Sequence, residues 1–463
     1  MVGFSVDCRH RKPSREQRGP GAIAVRLGFS RLTATLKGTV IMGFGADALA
    51  SARTRAFSMP LADLNPGDPE LFRTDTHWPY FERLRAEEPV HWCRDSEFGP
   101  YWSVTKYQDI MAVDTNHQVF SSDYMRGGIT IAGGSNQNME PLPMFIAMDP
   151  PRHDVQRKAV SPAVAPPALA LMAVQIRERA ATILDRLPIG EEFDWVDLVS
   201  KELTAMTLAT LFDAPQEDRR KITYWSDVVT AVPMPGGLVE TFEQKMQIFG
   251  EYNAYFANLW NQKVNAAPGH DLISMLAHHP QTRNMEAREY FGNVVLLTVG
   301  GNDTTRNTIS GSVLALNRNP DQYAKLRAHP ELIPNMVSET IRWQTPLAHM
   351  RRTAVQDYEF QGKKIREGDK VVMWYVSGNR DDEVIERPND YIIDRDRARH
   401  HVSFGFGIHR CVGNRVAELQ LTIIWEEILK RFPEITVTAE PKRTYSTFVK
   451  GYETLPVVIP RRN

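Results

Sequence analysis

One stretch limits what this chain can become more than any other: Phe404-Gly405-Phe406-Gly407-Ile408-His409-Arg410-Cys411-Val412-Gly413. A single cysteine stands between glycines, just ahead of an apolar, helix-forming segment from Val416 to Phe432. The sulfur is therefore expected at a turn feeding a helix N-terminus, where unpaired backbone N–H groups and the positive end of the helix dipole favour the thiolate. Gly405, Gly407 and Gly413 remove side chains where a flat ligand has to approach the backbone. A thiolate beneath a planar cofactor points to haem. Two other readings compete. A buried structural cysteine is the usual fate of a lone one, but it gives the flanking glycines, aromatics and His409 no common purpose. A zinc site of His400, His401, His409 and Cys411 lacks a second cysteine nearby and the recurring ligand spacings.

The 463 residues carry 55 basic and 56 acidic side chains, so no global charge speaks for nucleic acid or an anionic membrane as a partner. Cys8, Cys93 and Cys411 are odd in number and far apart, which argues against a disulfide framework and for a reducing, cytoplasmic location. No uninterrupted apolar run approaches the ~20 residues of a membrane span, and no secretory signal is legible. In the first forty positions eight Arg and Lys residues face only Asp7 and Glu16, and apolar residues follow no period. Residues 1–58 are expected to be a disordered extension and residues 59–463 a single domain.

Taken in order, Trp78 to Glu88 reads as an amphipathic helix, and Val90–Cys93 with Tyr101–Val104 as a hairpin around Gly99-Pro100. Residues 118–146 form a long, Gly/Ser/Asn-rich loop expected to face a substrate. Asp149-Pro150-Pro151-Arg152-His153 opens a helix with His153 and Arg157 at i and i+4, hence on one face. Residues 167–280 read as helices broken at Pro233–Gly237. Val294 to Asn317 is apolar on nearly every face, as in a helix buried within a large core. Set into it are Gly300-Gly301-Asn302-Asp303-Thr304-Thr305. The glycines let a ligand approach, and Thr304 is expected to bond back to a carbonyl and open a groove. An acid beside an alcohol there is either a helix contact or an oxygen pocket with a proton relay. Glu339-x-x-Arg342 lies in a helix ended by Pro346; alone, such a pair contributes only ~0.2–0.5 kcal/mol. Arg352 precedes an expected hairpin of Tyr358–Phe360 with Val371–Tyr375. Short strands around 436–438 and 456–459 flank a loop tip at 445–449.

Phe404-x-x-Gly407-x-His409-x-Cys411-x-Gly413 resembles the haem-binding signature of the cytochrome P450 monooxygenases, with Ala417 where that family usually has an alanine. Asp149-Pro150-Pro151-x-His153-x-x-x-Arg157 resembles the family's third major helix, and Gly300–Thr305 its central helix. Glu339-x-x-Arg342 resembles its internal charge pair, which Arg395, or failing that Arg397, would complete. The resemblance implies a mainly α fold with a smaller β-rich part, and haem b held between a central long helix and the cysteine loop. It implies Cys411 as iron ligand and His153, Arg157, Arg352, Phe404, Gly405, His409, Gly413, Gly300 and Gly301 around the cofactor. Asp303 and Thr304 would govern protonation of dioxygen, and Glu339, Arg342 and Arg395 would brace the loop.

The implied reaction is insertion of one oxygen atom of O2 into an unactivated C–H bond. Because the chain shows no flavin, nicotinamide or iron–sulfur fingerprint, electrons are expected from a ferredoxin and its NAD(P)H-driven reductase, with Arg410 among the docking contacts. Thr298–Asn307 and Thr345–Arg352 are similar to the bacterial alkane-hydroxylase branch. That branch implies terminal hydroxylation of medium-chain alkanes or fatty acids. Leu296, Val299, Leu347, Met350, Phe448 and Val449 are the expected pocket wall. Two rivals stand beside this reading: a steroid or terpenoid hydroxylase on the same scaffold, and a non-catalytic haem-thiolate sensor.

Overall fold

The computed structural model describes residues 44–133 and 141–463. Most of the expected N-terminal extension thus lies outside the described residues, but its last part is a helix, α1 (Phe44–Ser58). Ala52 and Ala56 are buried against Leu84 and Tyr80, and Arg53 pairs with both oxygens of Glu82 at 2.7 Å. Residues 44–58, expected to belong to the extension, are therefore helical and packed. Their period was hard to see because the buried contacts are alanines, which carry little hydrophobic contrast yet allow two helices to approach closely.

After α2 (Pro69–Arg73), α3 (Trp78–Glu87) follows where the pattern places a helix. Strands β1 (Val90–Cys93) and β2 (Tyr101–Val104) pair antiparallel with Val90 opposite Val104, and α4 (Tyr107–Thr115) leads to the short β3 (Phe120–Ser121). The middle of the chain is helical: α5 (Arg152–Val160), α6 (Pro166–Asp185), α7 (Glu202–Phe212), α8 (Arg219–Thr230), α9 (Phe242–Val264) and α10 (Leu272–His278). Strand β4 (Glu192–Asp194) interrupts them between α6 and α7. Thr241 and Asp271 cap α9 and α10 by accepting from the N–H groups of Gln244 and Ser274.

The long helix α11 (Ala287–Arg318) runs through two cores at once. Val294 and Val295 pack with α7 to α10, while Ile309, Val313 and Leu316 pack with α6, α13 (Ile333–Gln344) and α15 (Asn414–Arg431). That double burial explains why its apolar residues have no single face. The helix α12 (Pro320–Ala328) follows directly.

Strands β5 (Met350–Ala354), β6 (Tyr358–Phe360), β7 (Lys363–Ile365) and β8 (Lys370–Met373) correct one expectation. Strand β6 turns at Gln361-Gly362 and pairs with β7, whereas β8 enters a five-stranded sheet of order β1-β2-β8-β5-β3, parallel to β2 and antiparallel to β5. Val371, Val372 and Met373 are wholly buried, a demand that a two-stranded ribbon cannot meet and a sheet interior can. A short helix, α14 (Tyr375–Gly378), follows β8. Near the C-terminus β9 (Thr436–Val437) and β12 (Pro456–Val458) join β4, and β10 (Lys442–Arg443) pairs with β11 (Tyr452–Thr454). Among the described residues no single helix is long and apolar enough to cross a membrane.

Candidate active site

Cys411 sits where the chain turns into α15. Its N–H donates to Phe404 O (2.8 Å), closing the loop. Gly405 and Gly407 both have φ near +65°, a region that L side chains rarely adopt. At Gly407 a Cβ would also stand 2.7 Å from Asp114 O, so no other residue fits without movement. Asp114, from the end of α4, accepts from Phe406 N (2.7 Å), Tyr375 OH (2.9 Å) and Arg352 (2.6 Å) and thereby pins the loop to the sheet.

The sulfur lies deep in the protein, and its exposed surface opens into a cavity. Burial pushes the free thiol up, against the lowering effect of the Gly413 and Asn414 N–H groups and of Arg157 and Arg410. The helix-start donors anticipated from sequence are present, but for the free thiol desolvation outweighs them. A bound metal cation reverses that balance.

Haem fits this cavity, of about 630 Å³, which separates Cys411 from α11. His153, Arg157, Arg352, Phe404, Gly405, His409, Gly413, Gly300 and Gly301 all line it. His153 Nε2 and both ring nitrogens of His409 are buried without a hydrogen-bond partner, and the two rings meet edge to face at 4.4 Å. Burial and the neighbouring Arg352, His153 and Arg157 depress His409 to about 2, and burial lowers His153 as well. Orphaned ring nitrogens beside two guanidiniums form a site that calls for acidic groups, as the cofactor's carboxylates are. Arg157 also donates to Arg410 O, and Arg352 already holds Asp114.

Across the cavity, α11 stays helical through Gly300 and Gly301. Thr304 Oγ1 donates to Gly300 O (2.9 Å), as expected of a threonine bonding back, and Thr304 lines the cavity. Asp303 does not. Successive helix residues point about 100° apart, so Asp303 faces α8. Its Oδ1 accepts from Asn302 (2.9 Å) and Ser226 (3.3 Å) and pairs with Arg306 (3.2 Å). Arg306 in turn holds Asp227 (2.6 Å), and Asp227 holds Lys201 (3.2 Å). Asp303 Oδ2 is buried without a partner, and burial raises this carboxyl to about 6 despite Arg306.

Behind the loop, Glu339 receives both Nε and an NH of Arg342 at 2.7 Å, Arg395 Nε at 3.1 Å and Ile392 N at 2.8 Å. Arg342 also donates to Asn379 O and Pro388 O at 2.8 Å. Asn379 accepts from Val402 N and donates to Ser403, each at 2.8 Å, which carries this brace into the loop ahead of Cys411. Arg395, rather than Arg397, occupies the third position.

Of the expected pocket wall, Leu296, Val299, Leu347, Met350 and Phe448 line the cavity. Val449 does not; it is buried and its backbone bridges Leu347. Tyr445, Ser446, Thr447 and Phe448 line the cavity in succession through a turn in which Ser446 Oγ accepts from Phe448 N and Val449 N, and the chain leaves the cavity at Val449. On β5, where neighbouring side chains alternate, Met350 and Arg352 turn into the cavity. Residues 127–133, 141–142 and 144–147 line it too, consistent with the long loop expected there. Sequence reasoning missed Asp114 and Asp227, which lie in segments with no local signature, and gave Arg306, within the Thr298–Asn307 run, no role of its own.

The family model described as "Cytochrome P450" matches residues 85–452. Linalool 8-monooxygenase of Pseudomonas putida is 35% identical over 399 residues, 85% of this chain and 98% of that protein. A methyl-branched lipid omega-hydroxylase of Mycobacterium tuberculosis (strain ATCC 25618 / H37Rv) is 31% identical over 413 residues, 86% of this chain and 95% of that protein. Among solved structures, CYP153D17 from Sphingomonas sp. PAMC 26605 superimposes with a TM-score of 0.79 at 48% identity, covering 85% of this chain and 98% of that one.

Proposed function

The chain belongs to the cytochrome P450 family, and from that premise we propose that this monooxygenase hydroxylates the terminal carbon of a medium-chain alkane or fatty acid. Haem held by Cys411 supplies the activation of dioxygen, since a thiolate ligand favours O–O cleavage. The observation that carries the reading is the cavity wall facing the sulfur: Leu296, Val299, Leu347, Met350 and Phe448 leave a flexible apolar chain little to bond except at its ends. A primary C–H bond is the hardest to attack, so positioning of the chain end must do much of the selecting.

Thr304 presents a hydroxyl on the cavity wall, and Asp303 behind it is a carboxyl that burial raises to about 6, close enough to neutrality to exchange a proton. Two electrons per turnover come from a redox partner, which we take to be a ferredoxin with its NAD(P)H-driven reductase, with Arg410 exposed beside the loop as a docking contact. The omega-hydroxylase relative supports attack at a chain end. A terpenoid substrate is the second reading, favoured by the linalool relative.

Titrating the haem-loaded protein with n-alkanes and fatty acids of graded length, with mass-spectrometric identification of products, tests this. A low-to-high-spin change and a terminal alcohol are expected. A response confined to terpenoids or steroids overturns the chain-end reading.

A further inference from the structure

Basic side chains line the cavity in two places, and among its described lining residues there is no aspartate or glutamate. Arg157, Arg352, His153 and His409 gather beside the cysteine loop, where the cofactor's carboxylates belong. Lys245 stands apart, in the first turn of α9, next to the lining residues Val229, Thr230, Ala231 and Val232 at the end of α8.

Its Nζ donates to Val229 O (3.0 Å) and Ala231 O (2.8 Å), two carbonyls at the C-terminal end of α8. An ammonium has three donors, so one remains uncommitted. Among the described residues no carboxylate forms an ion pair with it; Nζ also lies over the face of the Phe249 ring, 6.0 Å from its centroid. Burial pulls Lys245 down to about 8, which still leaves it mainly charged at neutral pH. A charged, half-buried group with a spare donor, on the wall of an otherwise apolar cavity, is short of an anion.

Building on the chain-end reading above, we propose that Lys245 is a specificity-determining residue that receives the carboxylate of a fatty acid whose methyl end lies toward Cys411. The substrate class narrows accordingly to medium-chain carboxylic acids in preference to alkanes. An alkane offers the ammonium nothing and leaves it as it is. A carboxylate satisfies the spare donor with a charge-assisted hydrogen bond and fixes which end of the chain meets the reactive side. The competing role for Lys245 is purely structural, as a cation on the last carbonyls of α8; that role is indifferent to the head group of the ligand.

Calorimetric titration of the haem-loaded protein with dodecanoate and with its methyl ester separates the two roles. In Lys245→Met the ratio of acid to ester affinity should fall by about tenfold or more, the effect of losing one charge-assisted bond. Lys245→Arg should retain most of the ratio. A ratio unchanged in Lys245→Met, or equal losses for acid and ester, overturns the assignment and leaves only the structural role. Should the wild type bind neither ligand yet respond to terpenoids or steroids, the chain-end reading itself fails, and this inference falls with it. Melting curves of both variants establish that α8 and α9 remain folded.

Discussion

Two buried carboxylates, Glu339 and Asp303, each lie beside a guanidinium three residues ahead on the same helix, yet the molecule uses the two pairs in opposite ways. Glu339 has both oxygens filled, by Arg342, Arg395 and the Ile392 N–H, and Arg342 spends its remaining donors on backbone carbonyls. Nothing there is left to exchange. Asp303 has one oxygen without a partner and shares Arg306 with Asp227. A fully bonded buried charge holds a fold in place, whereas a partly bonded one in low dielectric gives up its ionisation first. The same i, i+3 spacing thus yields a brace behind the cysteine loop and a proton-holding group behind Thr304.

The largest expected effect breaks the brace. Glu339→Ala leaves Arg342 and Arg395 buried without their acid, at a cost of about 3–5 kcal/mol. Denaturant unfolding and haem incorporation should both report the loss; a variant that loads haem and unfolds like wild type would erase the contrast.

A smaller effect, of opposite sign, is expected at Asp303→Asn. Folded Asp303 keeps its proton up to about 6, whereas an ordinary aspartate releases it near 3.8. Between those values the native state binds more protons than the unfolded one, so rising pH works against folding there and has no further effect above about 6. Asn cannot ionise. Its stability relative to wild type should therefore grow as pH rises through that window and then level off, as urea midpoints at a series of pH values would record. A gain independent of pH would remove the proton-holding role.

Smallest in stability terms is Thr304→Ala, which gives up one hydrogen bond to Gly300 O, worth roughly 1 kcal/mol or less. Its effect is expected in coupling. Product per electron pair should fall by up to about a hundredfold, the lower end of what a positioned proton donor contributes, with peroxide released instead. Unchanged coupling would show that the Asp303 side of the comparison has no chemical outlet at Thr304.

Much of the site was legible because its parts are local. The Phe404–Gly413 loop, the Gly300–Thr305 run, His153 with Arg157 and Glu339 with Arg342 each lie within one turn or one helix, where covalent spacing dictates which groups meet. What escaped was set by partners far away in the chain. Val371 and its neighbours read as the return strand of a hairpin until β2 and β5 were seen to claim them. Asp114 gave no sign that it would gather the Phe406 N–H, Tyr375 and Arg352, residues more than two hundred positions distant. Val449 and Phe448 were indistinguishable as apolar neighbours; only the bridge to Leu347 decided which one turned inward.

By itself, then, the sequence determined the chemistry available to this protein: a cysteine at a glycine-shaped turn, an acid and an alcohol in a buried helix, and a charge pair one turn long. Tertiary structure decided how those groups are spent. It turned Thr304 toward the cavity and Asp303 toward α8, filled Glu339 completely, and left Lys245 facing an apolar space with a donor to spare. The physical reason is that desolvation and hydrogen-bond satisfaction depend on every group packed nearby, and most of those groups arrive from distant parts of the chain.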